Sequence, residues 1–448
     1  MIQTLKNAWK TPELRGKILF TILILLLYRL GANIPVPFID ADMMATFGDN
    51  MGGLFEYMNL LSGQAFSQGT LFALNVSPYI TASIVVQLLT IALPPLERWA
   101  KEGEAGKKKL NALTRYTTVG LALITAIGYT SLLNAGGYLT KSGKTAFGWI
   151  VIIACFCAGS SVIMWLAEKI NEHGIGNGIS MILFANILAR VFALASQVWY
   201  MVFPRGNFGS FVTSVTGSKG FFGSSWWGLT KAVLSVAITI AIIFIIVWFT
   251  ESERRIPVQY AKRQVGRKMY GGQSSNLPLK MNMAGVMPVI FASSIVSIPA
   301  TIASFITNDK NWLYKFANDW FNYDTWAYLI VYIVLIFLFS YFYIMISFNP
   351  VEVANNIKNQ GGSVPGIRPG KPTSDYIKKI LNRITTLGAV FLAFIAGFPM
   401  LINIIFGSSF TGIAFGGTSL LIVVGVALET FRSLESQLAM RNYKGFLD

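Results

Sequence analysis

Residues 147–168 read FGWIVIIACFCAGSSVIMWLAE, an apolar run with no charge until Glu168 closes it. Coiled as an α-helix, such a run is roughly 30 Å long, the thickness of a bilayer's hydrocarbon core. Outward from it, similar blocks lie near 17–33, 77–93, 113–133, 178–203, 228–250, 284–306, 325–348, 380–402 and 411–434. Hydrophobic residues make up 54 % of the 448 and charged residues only 12 %, about half the charged share of a soluble domain. The chain is therefore read as an all-α membrane protein of ten transmembrane helices. Blocks of this length exclude a barrel of short alternating strands. The first block runs into ANIPVP (32–37) with no small-residue cleavage site and is read as a retained span.

Loop charge orients the spans, because short loops rich in Lys and Arg stay cytoplasmic. Lys6, Lys10, Arg15 and Lys17 precede the first span; Lys101, Lys107, Lys108, Lys109 and Arg115 follow the second. Arg254, Arg255, Lys262, Arg263, Arg267, Lys268 and Lys280 lie in a large loop near 251–283, and Lys358, Arg368, Lys371, Lys378 and Lys379 in another near 349–379. These four regions are read as inside, so both termini are cytoplasmic. The intervening loops carry little charge, such as Lys141 and Lys144, or mixed charge, such as Asp309, Lys310, Lys315, Asp319 and Asp324. Five spans (1–203) precede an external linker (204–227) and five follow it (228–448). An odd number per half gives the halves opposite orientations, the arrangement of an inverted repeat around a central pathway.

GGLFEYMNLLSGQAFS (52–67) is too short and too polar to cross, and this topology puts it outside. Leu54, Met58 and Leu61 stand at helical spacing. Ser77-Pro78 restarts a helix, with Ser as cap and Pro at the first position. A short helix followed by a full span makes a discontinuous membrane element, which survives only when shielded by protein or facing water. An interfacial helix lying flat outside is the other reading.

Enzyme chemistry finds no footing: the sequence shows no paired metal ligands and no nucleophile with a histidine partner. His173, in EKINEHGIGNG (168–178), reads as a hydrated loop residue, and Cys155 and Cys157 as small packing side chains too close on a helix to bridge. No metal and no cofactor is expected. A solute transporter shows its site as ionisable residues within the spans, and these are scarce. Arg29 near the end of the first span can snorkel; Arg190 either lines a pathway or meets a protein or headgroup partner. Basic loops of this size suit an acidic partner such as RNA or protein, or anionic lipid headgroups. No phosphate-cradling glycine loop with Lys-Ser/Thr occurs, so energy must come from outside. Between spans seven and eight, Leu313, Phe316, Ala317 and Trp320 at helical spacing predict an interfacial helix over 309–326.

SPYITASIVVQLLT (77–90), EGEAGKKK (102–109), GIGNGIS (174–180), the long run 254–294, NPVEVANNIKNQGG (349–362), VPGIRPGKPT (364–373) and GGTSLLIVVGVALET (416–430) together resemble the SecY family of protein-translocation channels. The resemblance spans nearly the whole chain. It implies a passive channel in the cytoplasmic (inner) membrane that translocates unfolded secretory polypeptides and releases transmembrane segments sideways into lipid. Its implied partners are SecE and SecG subunits, the SecA motor ATPase, the ribosome, signal peptides and nascent chains, and membrane lipids. The implied pore is an hourglass. A short plug helix seats in its outer funnel, here Gly53 to Phe66 with Leu54, Met58 and Leu61, and flexible Gly52, Gly53 and Gly63 suit a segment that leaves and returns. The waist becomes a ring of Ile80, Ile84, Ile179, Leu183, Ile290 and Ile422, with Leu183 standing where isoleucine is commoner. A lateral gate lies between spans two and three and spans seven and eight, with Gln87, Thr90 and Ser294 bonding across it or, for Thr90 and Ser294, back to their own helices. SecA and ribosome docking falls to Arg254, Arg255, Lys262, Arg263, Arg267, Lys268 and Arg368. SVPGIRPG (363–370) is less bulky than the family's usual loop tip.

Overall fold

The computed structural model describes residues 6, 8–40, 43–44, 59, 62–189, 225–260, 263–265, 268–270, 274–304, 320, 325–406 and 417–444. A helix lies in each apolar block: Pro12–Gly31, Ser77–Ala92, Glu104–Ala135, Ala146–His173, Gly178–Ala189, Ser225–Glu251, Met287–Ser304, Trp326–Ser347, Lys371–Phe406 and Gly417–Lys444. Among the described residues, four helices are long and apolar enough to cross a membrane. A fifth candidate is the bent pair Ser77–Ala92 and Pro94–Lys101, which turns by 101°.

The helices begin where local chemistry allows. Pro12 and Pro94 open theirs at positions whose N–H would have no partner anyway. The Thr145 hydroxyl accepts from the Gly148 amide at 3.2 Å, and the Asn349 side chain accepts from Val351 and Glu352 ahead of Pro350. The expected cap at Ser77 is absent: the helix starts at Ser77 itself, with Val76 at the cap position and no side-chain bond to it. The chain arrives through consecutive turns ending at Asn75, whose φ of +53° lies in the left-handed region, and the Val76 carbonyl takes the first helical bond from Ile80.

The chain divides into two compact units, Met1–Ala237 with Ser293–Tyr328 and Ile422–Asp448, and Ile238–Ala292 with Leu329–Leu421. In the first unit the 77–92, 104–135 and 146–173 helices pack together, and the 12–31 helix packs on the 146–173 helix. The 146–173 helix buries Ile152, Phe156, Gly159, Ile163, Ala167 and Ile170, one face at helical spacing. Its other faces expose Phe147, Ile150, Val162 and Trp165. Helices apolar all round, outside as well as inside, have lipid as their solvent.

The second unit departs from the all-α expectation. Strands β1 (Glu253–Tyr260), β4 (Ser274–Lys280) and β5 (Gly362–Ser363) form an antiparallel sheet in the order β4-β1-β5, and β2 (Arg263–Val265) pairs with β3 (Lys268–Tyr270). Along β1, Ile256 and Val258 are buried while Arg255, Pro257 and Gln259 are exposed. That period of two is what a half-buried strand requires. Ile256, Val258 and Leu279 pack with Ile344, Ile357, Ile377 and Leu381 from the flanking helices and with Val364 just after β5.

Candidate functional site

The six motif-matched aliphatic residues come from four helices, Ile80 and Ile84 from one and Ile179 and Leu183 from another. Ile80, Ile84, Leu183 and Ile422, all in the first unit, are between 1 and 4 % exposed, and Ile179 of the same unit is partly buried. Ile290 belongs to the second unit and is equally buried. No charged or hydrogen-bonding group is contributed by any of these side chains. What they offer is contact without direction.

Two joints fix the helix that carries Ile179 and Leu183. At its start the Gly174–Gly178 turn is clamped by three other helices. The Ile175 amide donates to Thr21 Oγ1 at 3.1 Å, the Gly178 amide to Asn171 Oδ1 at 2.7 Å, and Gly176, at φ +78°, lies against Thr430. Thr430 Oγ1 also lies 3.4 Å from Met181 Sδ. A Cβ on Gly178 would stand 2.0 Å from the Ala167 carbonyl oxygen, so only glycine fits the approach.

Further along, Asn186 Nδ2 donates to the Tyr28 hydroxyl at 2.8 Å and lies 3.3 Å from Asn75 Oδ1, while the Tyr28 hydroxyl donates to Asn75 Oδ1 at 3.3 Å. Tyr28 and Asn186 are fully buried and Asn75 is nearly so. Beside this triad Arg29 Nη1 donates to the Gly63 carbonyl at 3.3 Å. Arg29, expected to snorkel, thus bonds to the chain segment leading into the 77–92 helix. The sequence reading missed Tyr28, Asn75 and Asn186. The signal available was polar: an amide at 186 within an apolar block, and another at 75 just before one.

Of the plug residues, Gly53, Leu54, Met58 and Leu61 lie outside the described residues. Phe66 is described and is 2 % exposed. Its ring lies 4.6 Å from that of Tyr129, and its carbonyl accepts the Tyr129 hydroxyl. The following residues are equally held: the Phe72 ring stacks on Tyr28 and fills the space over Gly31, and Leu71 O sits against Gly159.

Among the gate residues, Gln87 Nε2 donates to Ser83 Oγ and Thr90 Oγ1 to the Gln87 carbonyl, both within their own helix. Ser294 is partly buried, and its carbonyl accepts from Ser297 Oγ. Arg190 and residues 309–319 lie outside the described residues; Trp320 is exposed. Cys155 and Cys157 pack against the cluster around Phe66 and Phe156, and neither forms a disulfide. His173 is exposed, 3.7 Å from Glu172 and ring to ring with Phe20.

On the basic loops, Arg254 and Arg255 are exposed on β1, Arg255 pairing with Glu253 at 2.6 Å. Arg263 and Lys268 sit in β2 and β3, with their side chains outside the described set, as are Lys262 and Arg267 entirely. Arg368 is exposed on a turn held by Gly366 (φ +79°) and Gly370 (φ +105°), and its carbonyl accepts Thr373 Oγ1 at 2.8 Å. Val364 is buried below it and Ile367 packs on the same core, so the light loop tip is anchored. In the first unit, lysines hold two exposed helix carboxylates below their ordinary range, Lys101 for Glu97 and Lys169 for Glu172. Arg115 and Glu168 form a two-pronged ion pair at 2.6 and 2.9 Å between the 104–135 and 146–173 helices.

Against known proteins, the family model described as SecY matches residues 70–431. Relatives named protein translocase subunit SecY are 40 % identical in Streptomyces galbus, 41 % in Streptomyces coelicolor and 40 % in Mycobacterium tuberculosis, each aligned over all of both chains. The solved structure of a protein conducting channel superposes with a TM-score of 0.63 at 17 % identity, covering 94 % of this chain and 92 % of that one. Sec61 in the canine ribosome-channel complex gives 0.59 at 16 % identity over the same shares.

Proposed function

The chain belongs to the SecY family, a multi-pass membrane protein acting as a protein-conducting channel and not as an enzyme, and from that premise we propose how its residues perform the work. Ten spans in two five-helix halves, 1–203 and 228–448, surround an hourglass pore in the cytoplasmic membrane, with both termini inside. Ile80, Ile84, Ile179, Leu183, Ile290 and Ile422 form its waist. The observation that carries this reading is their burial: on helices that elsewhere expose apolar side chains, Ile80, Ile84, Leu183, Ile290 and Ile422 are withdrawn almost completely and Ile179 in part.

A waist of this chemistry dewets when empty and so resists ions. When a polypeptide enters, branched side chains part around it and offer no site at which it would stick. Gly53 to Phe66 plugs the outer side, and Phe66, packed on Tyr129, is its fixed end. Gln87, Thr90 and Ser294 line the lateral gate. For Gln87 and Thr90, hydrogen bonds already satisfied within the helix leave a surface that an entering signal helix displaces at little cost. SecE and SecG accompany the chain. SecA and the ribosome dock on the basic loops through Arg254, Arg255, Lys262, Arg263, Arg267, Lys268 and Arg368, supplying the energy.

Cysteines placed at Ile80 and at Ile422 test the pathway. Each is expected to crosslink to a secretory chain stalled in transit, and a cysteine at lipid-exposed Ile150 is not. Crosslinks from position 150 alone would remove the waist from the route.

A further inference from the structure

The waist needs more than greasy side chains: the helices that present them must hold their register. We propose that Tyr28, Asn75 and Asn186 are positioning residues for the waist, a buried hydrogen-bonded triad that locks the 77–92 helix to the 178–189 helix through the first span. The proposal rests on the assignment of the ring made above. Asn75 stands five residues before Ile80, and Asn186 three residues after Leu183. The Tyr28 hydroxyl bridges them, donating to Asn75 Oδ1 at 3.3 Å and accepting from Asn186 Nδ2 at 2.8 Å. Four of the six ring residues ride on the two helices so joined.

Chemistry favours a lock at this place. Three polar side chains with at most 3 % exposure cost desolvation unless they bond to one another, so each penalises any sliding that separates it from the others. Aliphatic contacts carry no such registry, because an isoleucine slides past an isoleucine with little change in energy. The backbone is built around the triad as well. Asn75 holds φ +53°, which an asparagine tolerates, and the Tyr28 ring stacks on Phe72 at 5.4 Å. Gly63 presses in from the side: a Cβ there would stand 3.1 Å from Asn186 Oδ1. The device is neither a pore-lining group nor a docking surface; it is a polar staple that lets a non-directional seal close the same way each time.

The test is the ion conductance of the resting full-length channel reconstituted in planar bilayers. Tyr28→Phe keeps the ring and its stack but removes the bridging hydroxyl; Asn75→Gly keeps the left-handed backbone but removes the amide. Each removes two of the triad's three hydrogen bonds and is expected to raise resting conductance roughly tenfold, the shift that losing two modest hydrogen bonds makes in a two-state equilibrium. Asn186→Ala combined with Tyr28→Phe breaks all three bonds, and because each single change already breaks the Asn186–Tyr28 bond, the double effect is expected to fall short of the sum of the two singles. Ile84→Asn, in the ring itself, runs alongside. If Ile84→Asn leaks and the triad variants, folded to the same melting temperature as the parent, stay tight, the staple is wrong and the ring stands. If Ile84→Asn stays tight as well, the ring assignment fails and takes the staple with it.

Discussion

Gly178 and Gly120 separate two uses of glycine in one membrane chain. The space for a Cβ at Gly178 is already held by the Ala167 carbonyl, whereas nothing lies within 4 Å of one at Gly120. Gly178→Ala must push the 178–189 helix off the 146–173 helix, at about 1–3 kcal/mol for overpacking. Gly120→Ala relieves the chain of backbone entropy and is expected to gain about 0.5–1 kcal/mol. Thermal unfolding of the purified variants in detergent reads both signs, and a Gly178→Ala protein as stable as the Gly120→Ala one would mean the approach is loose. The GIGNG string was visible in the sequence, but not its reason. Which carbonyl meets a glycine depends on helices about ten to several hundred positions away, and no spacing rule reports that. Thr90 shows the same limit. Its hydroxyl had two partners within reach of the sequence argument, and only coordinates reveal that it turns back to Gln87.

At the scale of elements, helices were legible and strands were not. A run of apolar residues longer than a bilayer is thick has one reading, and each block contains its helix. The sheet of the second unit carries its signal in two alternating positions, Ile256 and Val258, with Pro257 between them, inside a stretch dominated by basic residues. Proline on the edge strand β4, at 278, further hid the pattern. Yet the sheet is what makes the docking surface stiff, because Ile256, Val258 and Val364 seat it on the 371–406 helix. Two substitutions separate charge from support. Arg368→Glu reverses a side chain already in solvent and leaves the anchor intact; motor-driven export is expected to fall at least tenfold while membrane insertion and melting temperature are unchanged. Val258→Asp buries a carboxylate in the anchor, with a cost of several kcal/mol, and is expected to make the 253–280 region susceptible to protease. Normal export by Arg368→Glu takes that arginine out of the docking surface.

For the whole molecule, loop charge predicts which way the spans run, and several basic groups of the loops lie in solvent. Lys107 to Lys109, Arg255 and Arg368 are exposed, as are Lys141 and Lys144 in the weakly charged loop before the fourth span. The proposed ten crossings therefore make a definite pattern of accessibility. Cys155 and Cys157, half-buried in their helix, are first replaced by alanine so that each introduced thiol reports alone. A single cysteine at position 144 is expected to react with a membrane-impermeant maleimide on intact cells. Cysteines at 108, 255 and 368 are expected to react only after the membrane is opened. An even number of crossings between 108 and 255, with an odd number between 108 and 144, is the arithmetic on which the two five-helix halves depend. Labelling of position 255 from outside would break it, because the second half would then enter the membrane from the wrong face and could not mirror the first.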